Sequence, residues 1–219
     1  MGEDRQPGPG EAPNLGVPST PRPAASVVLL RRGGRHRQHG LEVLLLKRTG
    51  EARFMPGVWV FPGGGLDDGD GEGEGGHRAC AVRELGEEAG IELKPSDELV
   101  LFSRWITPEV ISTRFDAWFF LALAPPHSAP RPDGVETVEA SWFEPRAALD
   151  AHAAGELVLA FPTINQLESL LPFGAADEAL AAFRDRAIAP ILPKVVGSRE
   201  EHRVVLPGDP DYPDYPDPA

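Results

Sequence analysis

Nine consecutive residues, Arg83-Glu84-Leu85-Gly86-Glu87-Glu88-Ala89-Gly90-Ile91, constrain the fold more than any other stretch of the chain. At about 100° per residue, Glu84, Glu87 and Glu88 fall within a sector of roughly 100°, while Val82, Leu85 and Ala89 gather on the opposite side. The segment reads as a helix with one face for a core and one face of carboxylates. Like charges at i, i+3 and i+4 repel one another. Gly90 stops the helix at a C′ position, so the acids occupy its last turns, where the helix dipole also disfavours negative charge. A solvated surface helix has no reason to choose acids there, whereas a bound cation supplies one, and hard carboxylate oxygens suit magnesium or manganese. Upstream, Phe61-Pro62-Gly63-Gly64-Gly65 is a side-chain-poor turn whose backbone can approach a ligand closely. Gly63 therefore joins Glu84, Glu87 and Glu88 as a candidate metal-ligating position, with Gly64 and Gly65 as candidate substrate contacts.

Turn and helix together resemble the Nudix hydrolases, whose box runs G, five residues, E, seven residues, R-E-(apolar)-x-E-E-x-G-(apolar). Every specified position from Arg83 to Ile91 matches. Counting from Gly64, five residues lead to Asp70, where the family has Glu, and twelve residues separate Asp70 from Arg83. The loop thus carries five extra residues, Gly71-Glu72-Gly73-Glu74-Gly75, expected to form a flexible excursion. Asp68-Gly69-Asp70-Gly71-Glu72-Gly73 imitates the first half of a calcium loop. The twelfth position of such a loop would be Ala79, however, and the glycine turn lies where an entering helix is needed, so a calcium site is not expected.

A formal net charge of −13 over 219 residues argues against binding to nucleic-acid backbones or anionic membranes. No apolar run approaches the ~20 residues of a membrane helix, and the N-terminus through Pro23 lacks a signal-peptide core. The chain ends Asp217-Pro218-Ala219 rather than in a Ser-Lys-Leu-like address, and a cytoplasmic location is expected. Cys80 is the only cysteine, so no intrachain disulfide can form, and its spacing suggests a small buried residue.

Residues 1–24 are rich in Pro, Gly and Glu and are expected to be disordered, 25–190 to form the folded domain, and 191–219 to carry a hairpin and a disordered tail. Strands are predicted at Ser26–Leu30 and Leu41–Lys47, joined by a basic tip at Arg31–Gly40, then at Val58–Phe61, Leu99–Ile106, Phe115–Leu123 and Ser141–Phe143. The acidic helix is predicted over His77–Ala89, with further helices over Arg146–Ala153, Thr163–Leu171 and Glu178–Arg186. Pro190 and Pro193 are expected to end the last of these, and Lys194–Val196 to pair with Arg203–Leu206. The sum is an α/β/α sandwich on a mixed β-sheet, the fold the resemblance implies.

Leu44-Leu45-Leu46-Lys47-Arg48-Thr49, followed by Arg53, Gly57 and Phe61-Pro62-Gly63-Gly64, is similar to the signature of the coenzyme A-cleaving branch, L-L-T-x-R-[SA]-x3-R-x3-G-x3-F-P-G-G. Leu46 and Thr49 depart from it. Phe54-Met55-Pro56-Gly57, Trp105-Ile106-Thr107-Pro108 and Arg114-Phe115-Asp116 extend the likeness toward acyl-CoA diphosphatases. The resemblance implies magnesium- or manganese-dependent cleavage of a nucleoside-diphosphate-linked small molecule, favouring coenzyme A or an acyl derivative. Arg48 and Arg53 are candidates for its 3′-phosphate, since a guanidinium fork suits phosphate, although either could instead pair with Glu42 or Glu51. Glu136, six residues before Trp142, is the candidate general base with Glu139 as competitor, and Arg83 is expected to orient Glu87 one turn on. ADP-ribose or a dinucleotide as substrate, a non-catalytic nucleotide-sensing module, and a homodimer all stay open.

Overall fold

The computed structural model describes residues 13–14, 16–32, 40–52, 54–197 and 202–213. The expected basic tip beyond Arg32 lies outside them, as does Arg53. A mixed sheet is sandwiched between α1 on one face and three helices on the other, as the α/β/α reading requires. Strand β1 (Arg22–Arg32) runs parallel to β6 (Phe115–Leu123), which pairs antiparallel with β5 (Val100–Ile106). On its other side β1 meets β2 (Leu41–Arg48) only near their connection, from Leu30↔Val43 to Arg32↔Leu41. Beyond that the two strands splay, and the chain from Trp59 to Gly65 fills the wedge. There β3 (Trp59–Val60) pairs with β2, and β4 (Gly63–Gly65) pairs with the start of β1. The glycine segment, expected to be a turn, is thus a strand of the sheet. Strand β7 (Thr137–Phe143) covers the outer edge of β2 and is longer than predicted.

Helix α1 (Gly73–Ala89) lays Cys80, Ala81, Leu85 and Ala89 against Val27, Leu29, Leu44, Leu46 and Phe120. It starts at Gly73 rather than His77, so much of the glycine-rich insertion is its first turn and not an excursion. Glycine disfavours helix, but local contacts offset that cost. Arg78 reaches back to Glu74 at 2.6 Å and donates to the Leu99 carbonyl, and the His77 ring stacks on Trp118 at 4.5 Å. Gly90 closes the helix with φ 62, its N–H donating to the Gly86 carbonyl at 3.0 Å.

The opposite face carries α2 (Pro145–Ala153), α3 (Phe161–Leu170) and α4 (Ala176–Phe183), packed on Val28, Val43, Leu45, Phe102 and Leu121. Helix α4 stops short of the predicted Arg186, because Arg184 leaves helical geometry at ψ 134. Pro190 then opens a short strand, β8 (Pro190–Ile191), parallel to β5. The last hairpin joins β9 (Lys194–Gly197) to β10 (His202–Val205) with Val195 opposite Val204.

Residues near both ends make tertiary contacts. Asn14 and Ser19 bond to the loop carbonyls of Glu109 and Ser112, and the Tyr212 hydroxyl donates to Leu192 O at 2.8 Å. Among the described residues no helix is long and apolar enough to cross a membrane.

Candidate active site

The site is built where α1 crosses β4. The helix positions 80, 84 and 88 form one stripe that runs antiparallel along Gly65, Gly64 and Gly63. The Cys80 thiol lies 3.3 Å from the Gly65 carbonyl and 3.6 Å from that of Gly64, and the Gly63 N–H donates to Glu88 Oε2 at 2.9 Å. Between them the Glu84 carboxylate lies so close to Gly64 that a Cβ built there would sit 2.4 Å from Glu84 Oε1. At Gly63 a Cβ would stand 2.1 Å from Ser26 Oγ. The glycines are needed first for the helix and for β1 to approach the strand.

Arg83 ties the carboxylates together. Its Nε and Nη2 hold Asp70 bidentately at 3.1 and 2.8 Å, its Nη1 bonds Glu84 and Glu87 at 2.9 Å each, and Nη2 also reaches the Gly65 carbonyl at 3.1 Å. The pairing with Glu87 is the one expected from helical spacing. Asp70, though shorter than Glu, still reaches the guanidinium, which holds its carboxyl below the usual range.

Glu88 is 3% exposed. Burial pushes its carboxyl up to about 7, the Gly63 N–H and the charge of Arg48 pull it back, and Glu84 and Glu136 add to the rise. Glu84 is also raised, first by burial and then by Glu87 and Glu136, against the pull of Arg83. Glu87 stays exposed, with 61% of its side chain open. Among the described residues no three acidic, His or Cys side chains stand in an arrangement that could hold an ion together. Arg83 occupies Glu84 and Glu87, while Glu88 turns to Gly63. The donor chemistry fits a hard divalent cation: the buried Glu88 carboxyl and the partly buried Glu84 carboxyl carry a desolvation penalty that a bound positive charge would relieve.

A cavity of about 800 Å³ opens on the glycine strand, lined by Gly63, Gly64, Gly65, Arg48 and Glu136 and then by aromatic and aliphatic side chains. Arg48 does not pair with Glu42, which is held by Arg31 at 2.7 Å; its Nε donates instead to the Phe54 carbonyl at 3.1 Å. Glu139, the rival of Glu136, lies across β2 from Lys47 and forms an ion pair with it at 3.6 Å.

Sequence reasoning missed Asp133. Its Oδ1 accepts the N–H groups of Val135, Glu136 and Thr137 at 3.1, 3.1 and 2.8 Å, and Thr137 Oγ1 donates to the Glu88 carbonyl at 3.0 Å. This loop delivers Glu136 to the cavity and anchors it to the end of α1. The Pro132-Asp133-Gly134 triplet is the turn signal that could have revealed it. The segments of Phe54, Trp105 and Phe115 were singled out for their likeness, but that they meet with Phe161 in one cavity lining was not legible, since the four residues come from four separate segments.

Residues 20–161 match the family described as NUDIX domain. The protein designated nudix hydrolase 7 in Caenorhabditis elegans is 30% identical over 229 residues, covering 88% of this chain and 75% of its own. An acyl-coenzyme A diphosphatase of Xenopus laevis is 22% identical over 275 residues, covering 80% and 72% respectively. Among solved structures, a NUDIX hydrolase from Alicyclobacillus acidocaldarius superposes with a TM-score of 0.68 at 25% identity, over 77% of this chain and 99% of that one.

Proposed function

The chain belongs to the Nudix family and is a hydrolase of phosphorus anhydrides, and from that premise we propose that it is a divalent-metal-dependent diphosphatase acting on coenzyme A or an acyl-coenzyme A. The observation that carries the choice of substrate is Arg48. The coenzyme A-type signature puts an arginine at this position, and its guanidinium lines the same cavity as the glycine strand, with its charge felt at Glu88. The name of the Xenopus relative points the same way. Arg53, outside the described residues, is the second candidate for the 3′-phosphate.

The substrate diphosphate lies along Gly63–Gly65, where no side chain intervenes. Glu84, Glu87 and Glu88, with the backbone of Gly63, would hold magnesium or manganese, which when bound neutralises charge at the attacked phosphorus. Arg83 orients Glu84 and Glu87. Glu136 takes the proton of the attacking water, a phosphorus–bridging-oxygen bond breaks, and 3′,5′-ADP leaves from 4′-phosphopantetheine or its acyl form.

The test is mass spectrometry of products from coenzyme A, octanoyl-coenzyme A, ADP-ribose and reduced dinucleotide at equal concentration with magnesium. The coenzyme A species should be consumed fastest. Arg48→Ala should lower the preference for coenzyme A over its dephospho form by about 10- to 150-fold, the range set by one charged hydrogen bond. Faster loss of ADP-ribose or dinucleotide would overturn the substrate, and no consumption of any would favour a nucleotide sensor.

A further inference from the structure

The family match ends at residue 161, yet the cavity does not. Beyond it the lining continues through Pro162 and Thr163 of α3 and Pro193 to Val195, Gly197 and Val204 of the β9–β10 hairpin. Val195 and Val204 stand directly opposite one another in register, so both project from one face of the hairpin, whereas Val196 and Arg203 form the next pair and face the other way. Charge in the lining is confined, among the described residues, to Arg48 and Glu136. The rest of the lining is mostly apolar, with Phe54, Trp105, Phe115 and the two valines, and carries the uncharged polar side chains of Asn14, Ser26, Thr107 and Thr163. Phe54 and Phe115 are themselves in ring contact at 5.7 Å. A cavity of about 800 Å³ that holds two charged side chains and is otherwise mostly apolar suits a ligand that carries both an anionic group and a hydrocarbon chain.

We propose that the β9–β10 hairpin, outside the part of the chain that defines the family, is the wall of a subsite for the acyl chain of the substrate, with Val195 and Val204 setting the chain length it accepts. The proposal rests on the coenzyme A reading above and extends it to the far end of the molecule.

Calorimetric binding in excess chelator, so that nothing is consumed, tests the wall apart from turnover. The probes are coenzyme A and its butanoyl, octanoyl and dodecanoyl thioesters. In the native protein Kd should fall by about fourfold per added methylene until the cavity is filled. Val195→Trp should reduce the ratio of Kd for coenzyme A to Kd for octanoyl-coenzyme A by about tenfold or more, because the indole takes the volume of the chain. Val204→Thr, near-isosteric and safe for folding, should reduce the same ratio severalfold by placing a hydroxyl against hydrocarbon. A chain that adds no affinity in the native protein, or a ratio unmoved in both folded variants, would overturn the proposal. Tight, chain-dependent binding with no cleavage on adding magnesium would instead overturn the substrate reading and leave the subsite standing, and absence of binding by every probe would sink both.

Discussion

Arg83 is the residue on which the geometry of the acids depends, because a single planar guanidinium contacts Asp70, Glu84, Glu87 and the Gly65 carbonyl at once. Only the Glu87 contact was legible in the sequence, from its spacing of four. Asp70 and Gly65 are brought in by the chain path between β4 and α1, which no local pattern encodes. Gly64 is the complementary case: its identity was legible but its reason was not. A side chain there meets the Glu84 carboxylate before it meets any substrate. On the metal site proposed above, Gly64→Ala should therefore lower kcat by on the order of 10²-fold, since it displaces the Glu84 carboxylate. The melting temperature should change by only a few degrees, since the atom that must move is the end of a flexible side chain. Steady-state kinetics and thermal denaturation on one preparation check both halves, and equal activity of the two proteins would show that Glu84 can reorient without loss.

At the scale of elements, hydrophobic spacing identified the helices and long strands, since Leu44–Leu46, Phe119–Leu121 and the Leu85/Ala89 face announce burial directly. It failed where backbone context decides. Gly73–Gly76 became helix because Arg78 finds Glu74 and the Leu99 carbonyl and His77 stacks on Trp118 of the sheet, and Gly63–Gly65 became a strand because β1 and β2 splay to admit it. The loop before β7 is the element most exposed to acid. Burial works against ionisation of Asp133, but the N–H groups of Thr137, Glu136 and Val135 outweigh it and hold the carboxyl below its usual range. A native pKa below the unfolded value of about 3.9 means that the unfolded chain binds more protons there. The stabilisation is full above that value and is lost as pH falls through the lowered native one. Amide exchange at Val135, Glu136 and Thr137 should therefore accelerate below about pH 4 ahead of the core strands. Asp133→Ala should show the same acceleration at neutral pH and should lower kcat through misplacement of Glu136. Protection unchanged in the variant would mean that the loop is held by other contacts.

For the molecule as a whole, the proposed cation, held between α1 and β4, would link the helix to the sheet and so favour the folded state. Magnesium at a hundredfold excess over its dissociation constant should stabilise by about 2.7 kcal/mol, or roughly 5–10 °C in melting temperature for a chain of this size. Scanning calorimetry with magnesium and with chelator measures it, and Glu84→Gln should lose most of the rise. An identical Tm in both solutions would count against the metal reading independently of any activity assay. The same seam carries a built-in clock. Cys80, fully buried against the carbonyls of Gly64 and Gly65, has its thiol pushed up to about 12 by burial and by the charges of Glu84 and Asp70. A soluble disulfide reagent can capture this sulfur only when the helix lifts from the glycine strand. Its labelling rate thus times the parting of those two elements, and should slow further when magnesium is added.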